Sequence, residues 1–513
     1  RKKIMNYDYI LRADTIYTMD DDAPKADWVA VRDGKIAKVG MGEIPEGEEV
    51  KDYGSNTILP GLIDTHVHAY NTAVMYEAVN LIECTTVQQV LDLVEKRCVE
   101  TDEDLVLAWN YVVLQIEEAR FPTIQELDAI SHGKKVQVIS ITLHTSSINT
   151  AIYESLDYSQ FDYGLEMDEG GNFTGYLCDD EPNFYTSSQL IGSFPKEKVF
   201  SLMDKFGEYA VSVGLTSAHC LEGAFVADDI DIPYWLEKIE KNELPFHAVI
   251  YPQIWDYEKA KQWNLPRHGG CLTLDGADAE FTMALNEPYT CKPEIRGNLY
   301  HKDIEVYNLV KKAYGDGKQI TFHAMGDRAI NQVVDAYRRV IAEDGQKELR
   351  LRIEHFTLPT DEDLALAAKM HVIACPQPEY TDLYDTPGGP MEQIFGKERV
   401  ETRFEQYKKF MDAGVIVCGG SDAPVNSLNP LTGIHGFVNA RFDTRRLTVT
   451  EALKAYTYWA AYAAFEEHER GTIKEGFYAD FTILGEDPYE VPDKIRDIQV
   501  KGTISEGRVV YEQ

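Results

Sequence analysis

Residues 58–68 read ILPGLIDTHVH. An apolar run breaks at Pro60 and Gly61, resumes with Leu62 and Ile63, and then sets Asp64, His66 and His68 at alternating positions. Side chains two apart on a strand leave from the same face, so both imidazoles can reach one point at the strand's end, as ligands of one metal ion do. Two histidines do not complete a site. The rest of the chain must supply the other ligands.

On either side of this stretch the texture is β-rich. Before it come YDYILRADTIYTM, then DWVAVRDGKIAKVG with a turn at Asp33 and Gly34, and then NTILP. The far end repeats the pattern with YADFTILG and DIQVKGTISEGRVVYE, turning near Glu506 and Gly507. These ends predict one small β-sandwich domain built from residues 1–57 and 466–513. The α/β middle, 58–465, would then be inserted into it, carrying an insertion of its own at about 80–190.

Within that insertion, Val87, Val90, Leu91 and Val94 share one helical face, and KVQVISITLHT (135–145) is an apolar strand ending near His144. Asp179, Asp180 and Glu181 read as a solvated acidic turn. From about residue 195, helices such as 196–213, 304–314 and 402–413 alternate with apolar strands: LTSAHC, FHAVIYPQ, CLTLDG, QITFHAM, LRIEHF, HVIACPQP and VIVCGGSD. Near-continuous apolar strands between helices mean a parallel sheet covered on both faces, and this many repeats predict a closed (β/α)8 barrel. With the strands at Ile58 and Lys135 there are nine candidates for eight places. One of those near His144, Val249 or Leu272 must lie outside. The last helix opens on a capping box, Thr448 and Glu451, and is expected to run on through TEALKAYTYWAAYAAFEE.

Three later strands end in ligand-type residues: His323, His355 and Asp422. In a parallel barrel all strands point one way, so these residues converge with His66 and His68 on one face. That order of histidines and aspartate, one set per strand end, is far more specific than any member of it.

Length, composition and charge bound the class of protein. The 513 residues, 44% hydrophobic and 27% charged, suit a multidomain globular chain. Fifty basic against 86 acidic residues give a net charge of −36, which argues against nucleic acid or an anionic membrane as partner. Arg1, Lys2 and Lys3 lead into a polar and aromatic segment rather than a signal peptide, and no apolar run approaches the ~18 residues of a membrane span. The eight cysteines show no CxxC pair, so reduced thiols and a cytoplasmic setting are expected. A small-molecule substrate and a possible homodimer complete these expectations.

The motifs PGLIDTHVH, HAMGDRAI, RIEHF and GGSDAPV, together with a β domain made from both termini, resemble the amidohydrolase superfamily and its branch of N-substituted formamide deformylase-like hydrolases. The resemblance spans nearly the whole chain. It implies a barrel with one or two divalent ions, usually zinc, and hydrolysis of an amide or related C–N bond. Carried over by motif, His66, His68, His323 and His355 are metal ligands, and Asp422 is both ligand and proton shuttle, with His355 beside it at the catalytic step. His144 matches a histidine near the pocket of similar proteins, and Asp327 and Arg328 either hold a substrate group or pair with one another. Trp109, with Tyr111, Phe184, Tyr185, Tyr380 and Tyr384, can contribute an aromatic wall.

There is one departure from the family pattern. Where similar proteins carry a lysine four residues before an Asp-Gly pair, this chain has Cys271 before Asp275 and Gly276. Its thiolate either bridges or completes the metal site, or Cys271 is an apolar residue beside a single ion. The reaction expected is hydrolysis of an N-acyl, N-formyl or cyclic amide. A ring deaminase or esterase on the same site, and a non-catalytic binding protein, are the competing readings.

Overall fold

The computed structural model describes residues 7–75, 77–223 and 230–513; Arg1, Lys2 and Lys3 lie outside them. The two chain ends meet in one sheet. Its order runs Arg508–Glu512, Val500–Ser505, Phe481–Leu484, Thr57–Pro60, Tyr9–Tyr17, Lys25–Arg32, Lys35–Gly40, with Val50–Asp52 beside Tyr9–Tyr17. The junction is the antiparallel pair Phe481↔Pro60 to Leu484↔Thr57. Both expected turns have positive φ at both central residues, 53° and 75° at Asp33-Gly34 and 49° and 75° at Glu506-Gly507, the geometry that matches strand twist in two-residue hairpins.

Eight parallel segments follow one another in space as they do in sequence: β1 (Leu62–Val67), β2 (Leu215–Glu222), β3 (His247–Pro252), β4 (Arg267–His268), β5 (Gln319–Ile320, resuming at His323–Ala324), β6 (Arg352–His355), β7 (Ile373–Cys375) and β8 (Ile416–Val417). β2 pairs with β1 and β3, β4 with β5, and β5 through β8 form a four-strand run. Gly269 donates its N–H to Pro252 O (3.2 Å) after β3, and Val67 of β1 bridges Ala423 beyond β8. Helices cover the outer side. The one at Lys196–Ser212 buries Val199, Leu202, Met203, Phe206 and Ala210, a helical stripe, against Trp235 and Phe246.

The surplus ninth strand is the one before His144. Lys135–Ser140 sits in a separate mixed sheet of order Leu165–Met167, Phe173–Leu177, Ser146–Ile148, Lys135–Ser140, Leu105–Tyr111, Val79–Asn80. The strand at Val249 belongs to the parallel set, whereas Leu272 lies in no strand: the paired segment there is Arg267–His268, and Thr273 makes a single parallel bridge to His323. The helix Val87–Glu100 packs on this sheet through Val87, Val90, Leu91 and Val94, as the periodicity predicts.

Two expected helices are broken, for reasons tied to the site. The stretch 402–413 divides into helices ending at Thr402 and starting at Tyr407. Between them Glu405 takes φ 46° and donates its N–H to Thr357 O (2.8 Å). The last helix keeps its Thr448–Glu451 capping box but splits into Val449–Ala455 and Tyr458–Ala463. There the carbonyls of Ala455 and Tyr456 are taken by Gly419 N–H (3.1 Å) and Ile63 N–H (2.8 Å), which fastens this turn to β1 and to the end of β8. Among the described residues no helix is long and apolar enough to cross a membrane, and all eight cysteines are free.

Candidate metal centre

β1 is buried along its whole length, so its polar side chains need partners inside the protein. Asp64 meets this by accepting backbone N–H groups of His66 (2.9 Å) and Ser421 (3.0 Å), while burial pushes its carboxyl up to about 6. Asp422 N–H donates to His66 O (2.7 Å) and His68 N–H to Ala423 O (3.0 Å), so the HxH end of β1 and the SDAP segment after β8 are laced together. Gly420 is required here, because a Cβ would sit 2.6 Å from that of His66. Asp422 and His355 have φ of 56° and 69°, a left-handed backbone that non-glycine residues seldom adopt and that concentrates at functional sites.

The six ligand-type side chains expected at the centre come together. His66 Nε2 and His68 Nε2 each lie 3.1 Å from Asp422 Oδ1. Cys271 Sγ lies 3.6 Å from His355 Nε2. Two sets of donors close to within 4.8 Å: His66, Cys271 and His355, and His66, His68 and Asp422. The His323 ring stands 4.3 Å from that of His355, centroid to centroid, and neither of its nitrogens has a hydrogen-bond partner among the described residues. Buried imidazole nitrogens are rarely left unpartnered, and those of His323, with Nδ1 3.5 Å from Asp275 Oδ1 and Nε2 facing no acceptor among the described residues, fit a metal ligand.

Protonation states favour the same reading. Burial, helped by the charge of His144, holds His323 well below the usual histidine range; burial and His323 do so for His355. Both are therefore neutral, the form that binds a metal. Burial opposes charge on His66, but Asp422 beside it raises it well above the usual range. Burial works against ionised Asp422 too, yet His66 and His68 hold it well below the ordinary carboxylate range. Burial pushes the Cys271 thiol up to about 12, so a cation is needed to make it a thiolate. Imidazoles, two of them neutral, a carboxylate and a thiol converging at one buried point suit a divalent ion, whose charge would also displace the proton from His66.

Behind these groups stands a supporting layer that motif reading left unassigned. His66 Nδ1 donates to Glu354 Oε2 (2.7 Å) and His355 Nδ1 donates to Gln377 Oε1 (2.6 Å). Such contacts fix the tautomer, leaving Nε2 for a metal. Burial tends to raise Glu354, but Arg352 pulls it down to about 2. Arg352 donates also to His219 Nδ1, Tyr251 OH and Thr65 O, each at 2.9 Å. Glu354 precedes His355 in RIEHF, and that adjacency is the signal that could have singled it out.

His144 lines the cavity above the cluster, its ring 5.4 Å from that of His323. It donates from Nδ1 to Asp180 Oδ1 (2.6 Å); burial opposes its charge, but Asp180 raises it to about 9. The expected solvated turn at Asp179, Asp180 and Glu181 is thus corrected for its first two members. Asp179 caps the helix Asp180–Ile191 and Asp180 is buried against His144, whereas Glu181 is exposed. Three other expected substrate residues lie elsewhere. Trp109 pairs with Asn80 inside the mixed sheet, Asp327 accepts from Asn286 N–H (2.7 Å) and Arg403 (3.0 Å), and Arg328 lines a different depression with Asp335 and Arg339. Phe184 and Tyr380 do line the cavity.

Comparison with known proteins bears directly on this geometry. The model of the amidohydrolase family matches residues 49–511. The chain belongs to the amidohydrolase family. Its curated relatives include YtcJ of Bacillus subtilis, 26% identical over 97% of this chain and 98% of that protein, and the N-substituted formamide deformylase of Arthrobacter pascens, 25% identical over 97% of each chain. Among solved structures, an uncharacterized metal-dependent hydrolase from Pyrococcus horikoshii OT3 superposes with a TM-score of 0.74 at 22% identity, covering 94% of this chain and 99% of that one. Family membership accounts for a fold that joins parallel strands to a sheet built from both termini, and it supports a hydrolase that depends on a divalent metal.

Proposed function

We propose that this amidohydrolase cleaves a C–N amide bond of a small molecule, with zinc held by His66, His68, Cys271, His323, His355 and Asp422. In this reading the eight parallel segments close into a (β/α)8 barrel, with residues 1–57 and 466–513 as a second domain and the 80–190 region as an insertion. The observation that supports the proposal is the meeting of five of these donors, His66, His68, Cys271, His355 and Asp422, with the ring of His323 against that of His355, two of the five being on strained backbone. A cytoplasmic setting suits the free thiols.

Bound there, a divalent ion supplies Lewis-acid polarisation of the substrate carbonyl and acidifies a water molecule. The chain's own residues do the rest. Asp422, kept ionised by the imidazoles of His66 and His68, takes the proton of the attacking water and delivers it to the leaving nitrogen. His144, charged through Asp180, donates to the carbonyl oxygen as negative charge grows on it. Glu354 and Gln377 keep His66 and His355 in the tautomer that presents Nε2 to the metal.

The test is a panel of formanilides and N-acyl amino acids assayed before and after chelation. Activity lost on chelation and restored by zinc supports the reading. Turnover that persists in fully stripped protein refutes it.

A further inference from the structure

Beyond the metal cluster, the same cavity is lined by Asp278, Glu405, Tyr380, Gln377, Asn426 and Thr142. Among the described residues, no lysine or arginine lines it. Asp278 is 1% exposed. Its Oδ1 accepts from Tyr380 OH (2.8 Å) and Ala279 N–H (2.8 Å), whereas Oδ2 has no hydrogen-bond partner among the described residues. Behind Thr142 lies Glu280, whose Oε1 accepts from the Thr142 hydroxyl (2.6 Å) and whose Oε2 is likewise unpartnered. Asp278, Glu280 and Glu405 are close enough that the charge of Asp278 acts on both of the others. The cations around them are already engaged. His144, whose charge also acts on Asp278 and Glu280, is hydrogen-bonded to Asp180, and Arg445, whose charge also acts on Glu405, is paired with Asp385, so neither reaches the free oxygen of Asp278 with a hydrogen bond.

A carboxyl sealed from water with a free oxygen, its charge bearing on Glu280 and Glu405 beside it, is costly unless a positive charge joins it. We propose that this part of the cavity receives a protonated nitrogen of the substrate, an alkylammonium-type group carried by the amide, with Asp278 as its counter-ion. This rests on the reading of the cavity as the substrate site and narrows the substrate class within it.

Two observations favour an organic cation over a second metal. The oxygens of Asp278, Glu280 and Glu405 are not among the donor sets that close on a metal-sized point. The cavity wall beside Asp278 is instead aromatic, with Tyr380 packed on Tyr384 at 4.8 Å, a surface over which an ammonium group is stabilised. Burial pushes Glu280 up to about 7 and Glu405 up to about 8. Both are poised to ionise when a positive partner arrives.

The probes are benzylamine, benzyl alcohol and benzoate, titrated by calorimetry into metal-loaded protein near pH 7.5. The expected order is benzylamine tightest by about tenfold or more over the alcohol, with benzoate weakest. In Asp278→Asn the affinity for benzylamine falls roughly tenfold while that for the alcohol stays within about threefold, which also shows that the variant is folded. Glu280→Gln shifts benzylamine in the same direction by less. Equal binding of amine and alcohol, preference for benzoate, binding of none of the three, or benzylamine affinity untouched by Asp278→Asn overturns the proposal; the last result would seat the amine on the metal. These binding outcomes stand apart from turnover. A protein that hydrolyses no amide yet shows the charge preference loses the hydrolase reading and keeps this one, and hydrolysis with no charge preference does the reverse.

Discussion

Glu354→Gln is the substitution whose effect the structure fixes most closely. The carboxylate is wholly buried and serves four donors: Thr321 hydroxyl (2.5 Å) and Arg352 Nε (3.0 Å) on Oε1, and Arg352 Nη2 (2.9 Å) and His66 Nδ1 (2.7 Å) on Oε2. Glutamine keeps the shape but removes the charge, and its amide nitrogen must point at Arg352 or at His66, a donor facing a donor. The other contacts of Arg352 are neutral oxygens and a neutral His219, so its buried guanidinium loses its only charged partner in this network. Breaking such a pair costs about 3–5 kcal/mol. For a chain of 513 residues, at ~2.1 cal/mol/K per residue, that corresponds to a fall in Tm of about 3–5 °C if unfolding is cooperative. Because His66 also loses its orienting acceptor, affinity for the metal falls by about 10–100-fold. Scanning calorimetry and competition with a zinc-binding dye measure the two effects separately. Unchanged Tm with unchanged metal affinity refutes the reasoning. As a control, Arg352→Met with Glu354→Leu removes both charges, and its Tm is expected to recover part of the loss while metal affinity does not.

Asp422→Asn keeps an oxygen near His66 and His68 but cannot carry a proton, so metal content stays within about twofold of wild type while kcat falls by about 10²–10⁴-fold, read from parallel elemental analysis and amide hydrolysis. Glu405 gives a pH signature. Its folded value, about 8, exceeds the ordinary 4.5 because of burial, so between those values the native state holds the proton that the unfolded chain releases, and stability falls as pH rises through this window. Glu405→Gln removes that loss, worth a few kcal/mol at most. The melting temperature of the variant relative to wild type should therefore be higher at pH 9 than at pH 5; a pH-independent difference contradicts the assignment.

Much of this site was legible in the sequence because strand periodicity and motif spacing encode it. His66 and His68 alternate at the end of β1, and His323, His355 and Asp422 each stand at or just beyond an apolar strand stretch, so placing the strands in parallel was enough to bring them together. Residues that act from behind or from loops carried no comparable signal. Glu354 points away from a metal and toward Arg352, and nothing in the spacing of RIEHF shows this. Asp180 read as a surface acid because burial of a charge is decided by a partner 36 residues away, His144. Trp109 was chosen for its chemistry, yet strand pairing with Asn80 carries it into the mixed sheet. The broken helices near Glu405 and Tyr456 have good helical sequences; tertiary hydrogen bonds to Thr357, Ile63 and Gly419 override them.

If Cys271 belongs to a metal centre shared with His66 and His355, its thiol must become a ligand when metal binds. Metal content per chain, measured by elemental analysis on wild type and Cys271→Ser purified without added metal, tests it most directly. The account predicts about two ions in wild type and about one or fewer in the variant, since the serine hydroxyl is a far poorer ligand than a thiolate. Equal content in both proteins would contradict it and leave Cys271 a buried apolar side chain beside a site it does not build.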